Sequence, residues 1–163
     1  MNDIEPKDIA KLATIDDASS FQEVRNQQNS GIVIIPERYG NSEETYIKAD
    51  GGDFTKWLVQ EKPDISVQFP SGKRKVSLHS AEYWLPLVYL ANDIALPTYL
   101  SLVANYLYDK IRGALTNEKK RINFSVVSED RSAGKLKRFD FSGDYEGLQK
   151  IVKKFDLNQF LDD

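Results

Sequence analysis

His79 is the only histidine in the 163-residue chain, and there is no cysteine. A metal site would therefore need carboxylates for nearly every ligand, and no D-x-D-x-D-G or H-x-x-x-H spacing supplies them. Ser77 and Ser80 stand beside His79, but close neighbours in an extended chain do not converge as a nucleophile and its base, and no G-x-S-x-G elbow is present. The residues read as a local hydrogen-bonding group. Phosphate cradles are equally poor. GGD at 51–53 lacks the third glycine of a dinucleotide motif, and SGKRK at 71–75 lacks the first glycine of a P-loop. The acid pairs Asp16-Asp17, Glu43-Glu44 and Asp162-Asp163 lie in polar segments that neither raise a pKa nor fix a separation. No catalytic, cofactor-binding or metal-ligating residue is assigned.

Basic residues are the remaining candidates. Lys73, Arg74 and Lys75 sit at one expected hairpin, and Lys119, Lys120 and Arg121 at the start of a strand. Lys137 and Arg138, with Arg131 and Lys135, surround a second hairpin. Brought together, these side chains could track a phosphate backbone. Aromatic residues are not interleaved with them, however, and the isoelectric point near 5.3 is low for a dedicated nucleic-acid binder. Charge is also split along the chain: residues 1–62 are acidic and residues 70–154 basic, with a net charge of −3 overall. Two halves packed together would neutralise one another.

The elements that must hold these residues follow from periodicity. At 40% apolar and 11% aromatic residues the chain is globular and long enough for one core. Residues 1–30 read as a weakly helical polar arm, with Ile9, Leu12 and Ala13 on one helical face and no basic, apolar leader. Residues 31–163 read as a single α+β domain. GIVIIP and TYIKA are strands, and Asp53 is placed to cap a short helix, DFTKWLVQEK. ISVQF and KVSL alternate about a turn at Pro70–Gly72, as a hairpin would.

The apolar stretch from Tyr83 to Tyr108 runs unbroken only over Tyr83–Ala91, Pro86 included, and is interrupted by Asn92, Asp93 and Pro97, so it is too broken to cross a membrane. It parses as two helices, the first from Ser80 to about Ala91, with Asp93 available to cap the second. That second helix, from about Pro97 to Leu115, places Leu96, Leu100, Val103, Leu107, Ile111 and Leu115 on one face. Tyr99, Leu102 and Tyr106 widen this face into that of a central helix covered on more than one side. Arg121–Ser128 and Lys135–Ser142 alternate as a hairpin, and DYEGLQKIVKKF follows as an amphipathic helix. The expected fold is a mostly antiparallel sheet of hairpins packed on a long central helix.

Ile122–Val126, Lys137–Gly143 and Leu148–Phe155 carry a resemblance at the level of element order. The order resembles that of small effector-associated accessory components of bacterial conflict and antiphage defence systems. The resemblance implies a non-enzymatic adaptor that docks onto or assembles a larger effector. The expectation is thus a cytoplasmic, non-catalytic interaction module without cofactor, which binds a larger protein partner or itself and no membrane. A nucleic-acid-binding module using the basic hairpins is the alternative, and an unrecognised hydrolase or nuclease the third reading.

Overall fold

A computed structural model of the chain describes residues 9–15, 30–38, 45–48, 50–69, 74–76, 82–91, 93–112, 120–130 and 135–161. Its architecture is α+β, with a mixed seven-stranded sheet, a separate three-stranded sheet and three helices among the described residues. The main sheet runs β1 (Ile9–Thr14), β10 (Lys135–Gly143), β9 (Arg121–Asp130), β8 (Leu87–Leu90), β2 (Ile32–Ile35), β5 (Val67–Gln68). The short β7 (Glu82–Trp84) also pairs with β9. The small sheet holds β3 (Glu37–Arg38), β4 (Thr45–Lys48) and β6 (Arg74–Val76).

The hairpin read at Arg121–Ser142 is present, with β10 antiparallel to β9 and Phe139 opposite Val126. Alternation sends Ile122, Phe124, Val126, Phe139 and Phe141 to one face, where all five are buried. The helices α1 (Gly51–Glu61), α2 (Leu96–Arg112) and α3 (Tyr145–Leu161) contribute to that core. Leu100, Val103 and Leu107 of α2 are wholly buried, as are Tyr99 and, but for a trace, Tyr106 and Leu102. The wide apolar face of α2 is explained by its neighbours, because it packs against both α1 and α3. Pro97 falls in the first turn of α2, where a missing N–H costs no helical hydrogen bond. The helix is described as far as Arg112, with Ile111 exposed, and Leu115 lies outside the described residues.

Several expectations are corrected. Tyr83–Ala91 is not a helix. It forms β7 and β8, which lie end to end along β9 and are parallel to it, interrupted at Leu85–Pro86 where proline has no N–H to give the ladder. Its unbroken apolar character is that of a strand covered on both faces: Val88 and Leu90 join the helix-side core, while Leu87 and Tyr89 join Val33, Val127 and Leu136 on the other. The segments around residues 65–78 do not form a hairpin. β5 runs parallel to β2 in the main sheet, and β6 runs parallel to β4 in the small one. The proposed turn at Pro70–Gly72 lies outside the described residues. Ile9–Thr14 is a strand rather than a helix, because pairing with β10 overrides a weak helical pattern. The sheet is therefore mixed and not a set of antiparallel hairpins, and α2 shares its face with α1 and α3.

Two backbone details fix the frame. Gly31 has φ +86°, and a Cβ there would lie 2.0 Å from the Ser66 carbonyl oxygen, so no larger residue fits. Its N–H donates to Asp93 Oδ1 at 2.8 Å and its carbonyl accepts from Ala91 N–H at 3.0 Å. Asp93 is thereby committed to holding the β2 strand, not to capping α2. Asp50, not Asp53, occupies the cap position of α1, and its carboxylate accepts from the Trp84 N–H at 2.7 Å.

Among the described residues no helix is long and apolar enough to cross a membrane. Leu107→Ala is expected to destabilise the fold by about 2–5 kcal/mol, the range for emptying a packed core site. Urea melts check this, and a loss below about 0.5 kcal/mol would show that the α2 face is not core.

Candidate functional site

Polar groups of two helices converge in a cleft of about 350 Å³ between α1 and α2. Helical spacing builds both walls. With Phe54 and Leu58 turned into the core, Asp53, Lys56, Trp57 and Gln60 occupy the adjoining face of α1. Tyr106, Asp109 and Lys110, at steps of three and four, supply the α2 wall. The Tyr106 hydroxyl donates to Asp53 Oδ2 at 2.6 Å, and the Lys110 ammonium lies 2.5 Å from the same oxygen. Trp57 Nε1 donates to Asp109 Oδ2 at 2.9 Å. The Lys110 ammonium also sits 5.8 Å from the centre of the Tyr106 ring, and the Trp57 ring meets Tyr106 edge-on at 5.7 Å.

Charge follows from these contacts. Burial alone would raise the Asp53 pKa. Hydrogen bonds from Lys110 and Tyr106, with the charges of Lys110 and Lys56, outweigh it and hold the carboxyl below its ordinary value. Burial, then donation to Asp53, pushes the Tyr106 phenol well above its ordinary value. The phenol is therefore a fixed donor at neutral pH and not a base. Asp53 is an ionised acceptor with two donors already on one oxygen. The cleft can orient a small polar group, but it holds no nucleophile paired with a base.

A second cleft, of about 510 Å³, opens where the parallel strands β8 and β9 end beside the start of α2, lined by Asp93, Ser128 and Glu129 among apolar neighbours. That is the end of a parallel pair at which ligands commonly sit. Here Asp93 is occupied by Gly31. Among the described residues no group of three acids or histidines is placed to hold a metal ion. Ser77, His79 and Ser80 lie outside them.

The basic candidates are divided. Arg74 and Lys75 belong to the small sheet, on β6. Lys120 and Arg121 begin the β9 region, and Lys137 and Arg138 lie on β10. Lys73 and Lys119 lie outside the described residues. Alternation puts Lys137 on the helix-bearing side and Arg138 on the opposite face. Arg121 and Arg138 do share that opposite face. Yet Arg138 is in register with Val127, six residues beyond Arg121, a separation of about 20 Å along the strands. Arg121 donates through Nε to Ser142 Oγ at 2.8 Å, and Ser142 Oγ donates to Asn123 Oδ1 at 2.7 Å. Arg138 lies 3.0 Å from Asp140 Oδ1 and donates to Ser125 Oγ at 3.2 Å, while Ser125 donates to Asp140. The Lys120 ammonium rests 5.0 Å from the Tyr83 ring. These cations help to knit the sheet.

Sequence reasoning missed the α1–α2 cleft. It took Asp53 for a cap and Tyr106 for plain core. The i, i+4 spacing of Asp53 with Trp57 and of Tyr106 with Lys110 was visible, but the pairing across 53 positions was not. Comparison of the chain with protein-family models, curated proteins and solved structures finds no match.

The lowered Asp53 pKa gives a signed pH dependence. Its contribution to stability is whole above the ordinary carboxylate value of 3.8 and is lost as pH falls through the lower folded-state value. Asp53→Asn is therefore expected to be less stable than wild type at neutral pH and to approach it near about pH 2. Urea melts across that range decide the matter, and a gap that stays constant down to about pH 2 would refute the coupling.

Proposed function

We propose that this chain is a non-catalytic, cytoplasmic protein-interaction module, an accessory subunit that docks onto a larger protein partner. The observation that carries this reading is β1. All six of its side chains are exposed, including Ile9 at 55% and Leu12 at 45%, on a strand at the end of the main sheet. An apolar edge strand of this kind attracts other chains. The paired states of Asp53, Tyr106, Lys110, Arg121 and Arg138 support the same conclusion, since each is held by a neighbour in the fold. The resemblance in element order carried by Ile122–Val126, Lys137–Gly143 and Leu148–Phe155 to effector-associated components favours a subunit of a bacterial defence or toxin-type assembly.

Nucleic-acid binding is the second reading, favoured by the number of cations in the second half of the chain. The two are separable. Tagging the chain in its native cell, identifying what co-purifies and rebuilding the complex from purified components tests the first. Changing Lys73, Arg74, Lys75 and Arg138 together to alanine is expected to leave that complex within about tenfold in affinity, because charges at the rim of an interface chiefly alter association rates. Duplex and single-stranded binding is expected to be no tighter than about 10 μM at physiological salt. Tight, salt-sensitive retention of DNA or RNA that the four changes abolish would overturn the interaction reading.

A further inference from the structure

The phase of the β1–β10 ladder decides which backbone groups β1 turns outward. Ile15 follows β1 in register with Leu136, and its N–H donates to the Leu136 carbonyl at 2.9 Å. In an antiparallel pair, alternate residues exchange both bonds with the partner strand. Ile9, Lys11, Ala13 and Ile15 therefore turn their N–H and C=O groups toward β10. Ala10, Leu12 and Thr14 turn theirs away, and among the described residues no strand pairs with that outer edge.

Side chains and charge narrow what could lie there. Leu12 stands in register with Phe139, whose ring meets Phe155 of α3 edge-on at 5.7 Å. It thus extends the helix-side apolar surface one strand past its cover, and a side chain set beside it would bury it. The two strands β1 and β10 carry Lys11, Lys135, Lys137 and Arg138 against the single acid Asp140. Lys11 and Arg138 share one face with Asp140, and Lys137 lies on the other. Arg138 is held by Asp140, so the charge that an incoming strand meets on that face is that of Lys11, on the strand beside the open edge. A second copy of the chain would bring the same excess of cations to the contact, which like-charge pairing disfavours.

We propose that the outer edge of β1 is a strand-addition site for an extended, acidic, alternately apolar segment of a protein partner. The assignment rests on the interaction-module reading and supplies its surface. Backbone bonds to Ala10, Leu12 and Thr14 give affinity, Lys11 selects an acid, and Leu12 receives an apolar residue.

The test uses the full chain and a fluorescent peptide of about eight residues alternating glutamate with valine, matched by one alternating lysine with valine. The glutamate peptide is expected to bind at least about tenfold tighter than the lysine peptide. Leu12→Pro removes an outward N–H without touching a bond to β10, and is expected to weaken peptide binding about tenfold or more while circular dichroism stays unchanged. Equal binding to wild type and Leu12→Pro, or no binding of the glutamate peptide, overturns the proposal. Should Leu12→Pro fail to fold, a glutamate peptide N-methylated at alternate residues replaces it on wild type, and undiminished binding overturns the proposal. Self-association abolished by Leu12→Pro would make a second copy the occupant, and overturns it as well. A reconstituted partner complex that forms equally with Leu12→Pro would remove the edge assignment and leave the interaction reading standing. Peptide binding with no partner complex would do the reverse.

Discussion

The parallel pairing of β8 with β9 is the constraint on which the rest of the molecule depends. Two adjacent parallel strands cannot be joined by a tight turn, so the chain must cross the sheet and return. α2 is that crossing: it leaves after β8, runs back over the face and delivers the chain toward β9. Because the crossing lies on the sheet, its wide apolar face is buried beneath neighbours on two sides. β8 becomes an interior strand with β2 on its other flank, and this is why every one of its side chains is buried. Gly31 and Asp93 then clamp β2 to the end of β8 at the one place where a side chain on residue 31 would collide with Ser66.

Where partners lay close along the chain, the fold was legible. The β9–β10 hairpin, α3 and the buried stripe of α2 all followed from alternation or helical spacing within a single segment. Where a distant partner decided the outcome, it was not. Tyr83–Ala91 has the continuous apolar character that a buried strand shares with a buried helix; its nine residues argued for a strand, but the parallel neighbour that makes it one lies more than thirty positions away. Ile9–Thr14 was misread for the same reason, since IAKLAT carries no strong preference and β10 supplies the missing information. The α1–α2 cleft was hidden because Asp53 and Tyr106 each look ordinary alone.

The charge split along the chain has a structural reading as well. Arg121 and Arg138 pin hydroxyl and carboxylate groups across β9 and β10, so two of the cations in the basic half act within the sheet. Lys110 from that half meets Asp53 from the acidic one, so part of the asymmetry is met by contact between α1 and α2. Both partners of that pair are about half exposed, so solvent screens it and its energetic weight is small. Its effect is geometric: it fixes where the two helices face one another.

The ladder between β1 and β10 joins Ile9 to Ser142 and Thr14 to Lys137. On the ribosome, β1 is made well before β10 and must wait for it. The β9–β10 hairpin needs only a short loop and forms early once its residues are out, whereas β1 must close a loop of well over a hundred residues before it gains any hydrogen bond. Among the described strand pairs β1 closes the longest loop, and its release would open the sheet from that side. When it leaves, the long edge of β10 is uncovered, a nine-residue strand with Phe139 and Phe141 on its inner face. The exposed strand at the margin therefore also acts as a guard, keeping a stickier edge behind it out of reach of other newly made chains.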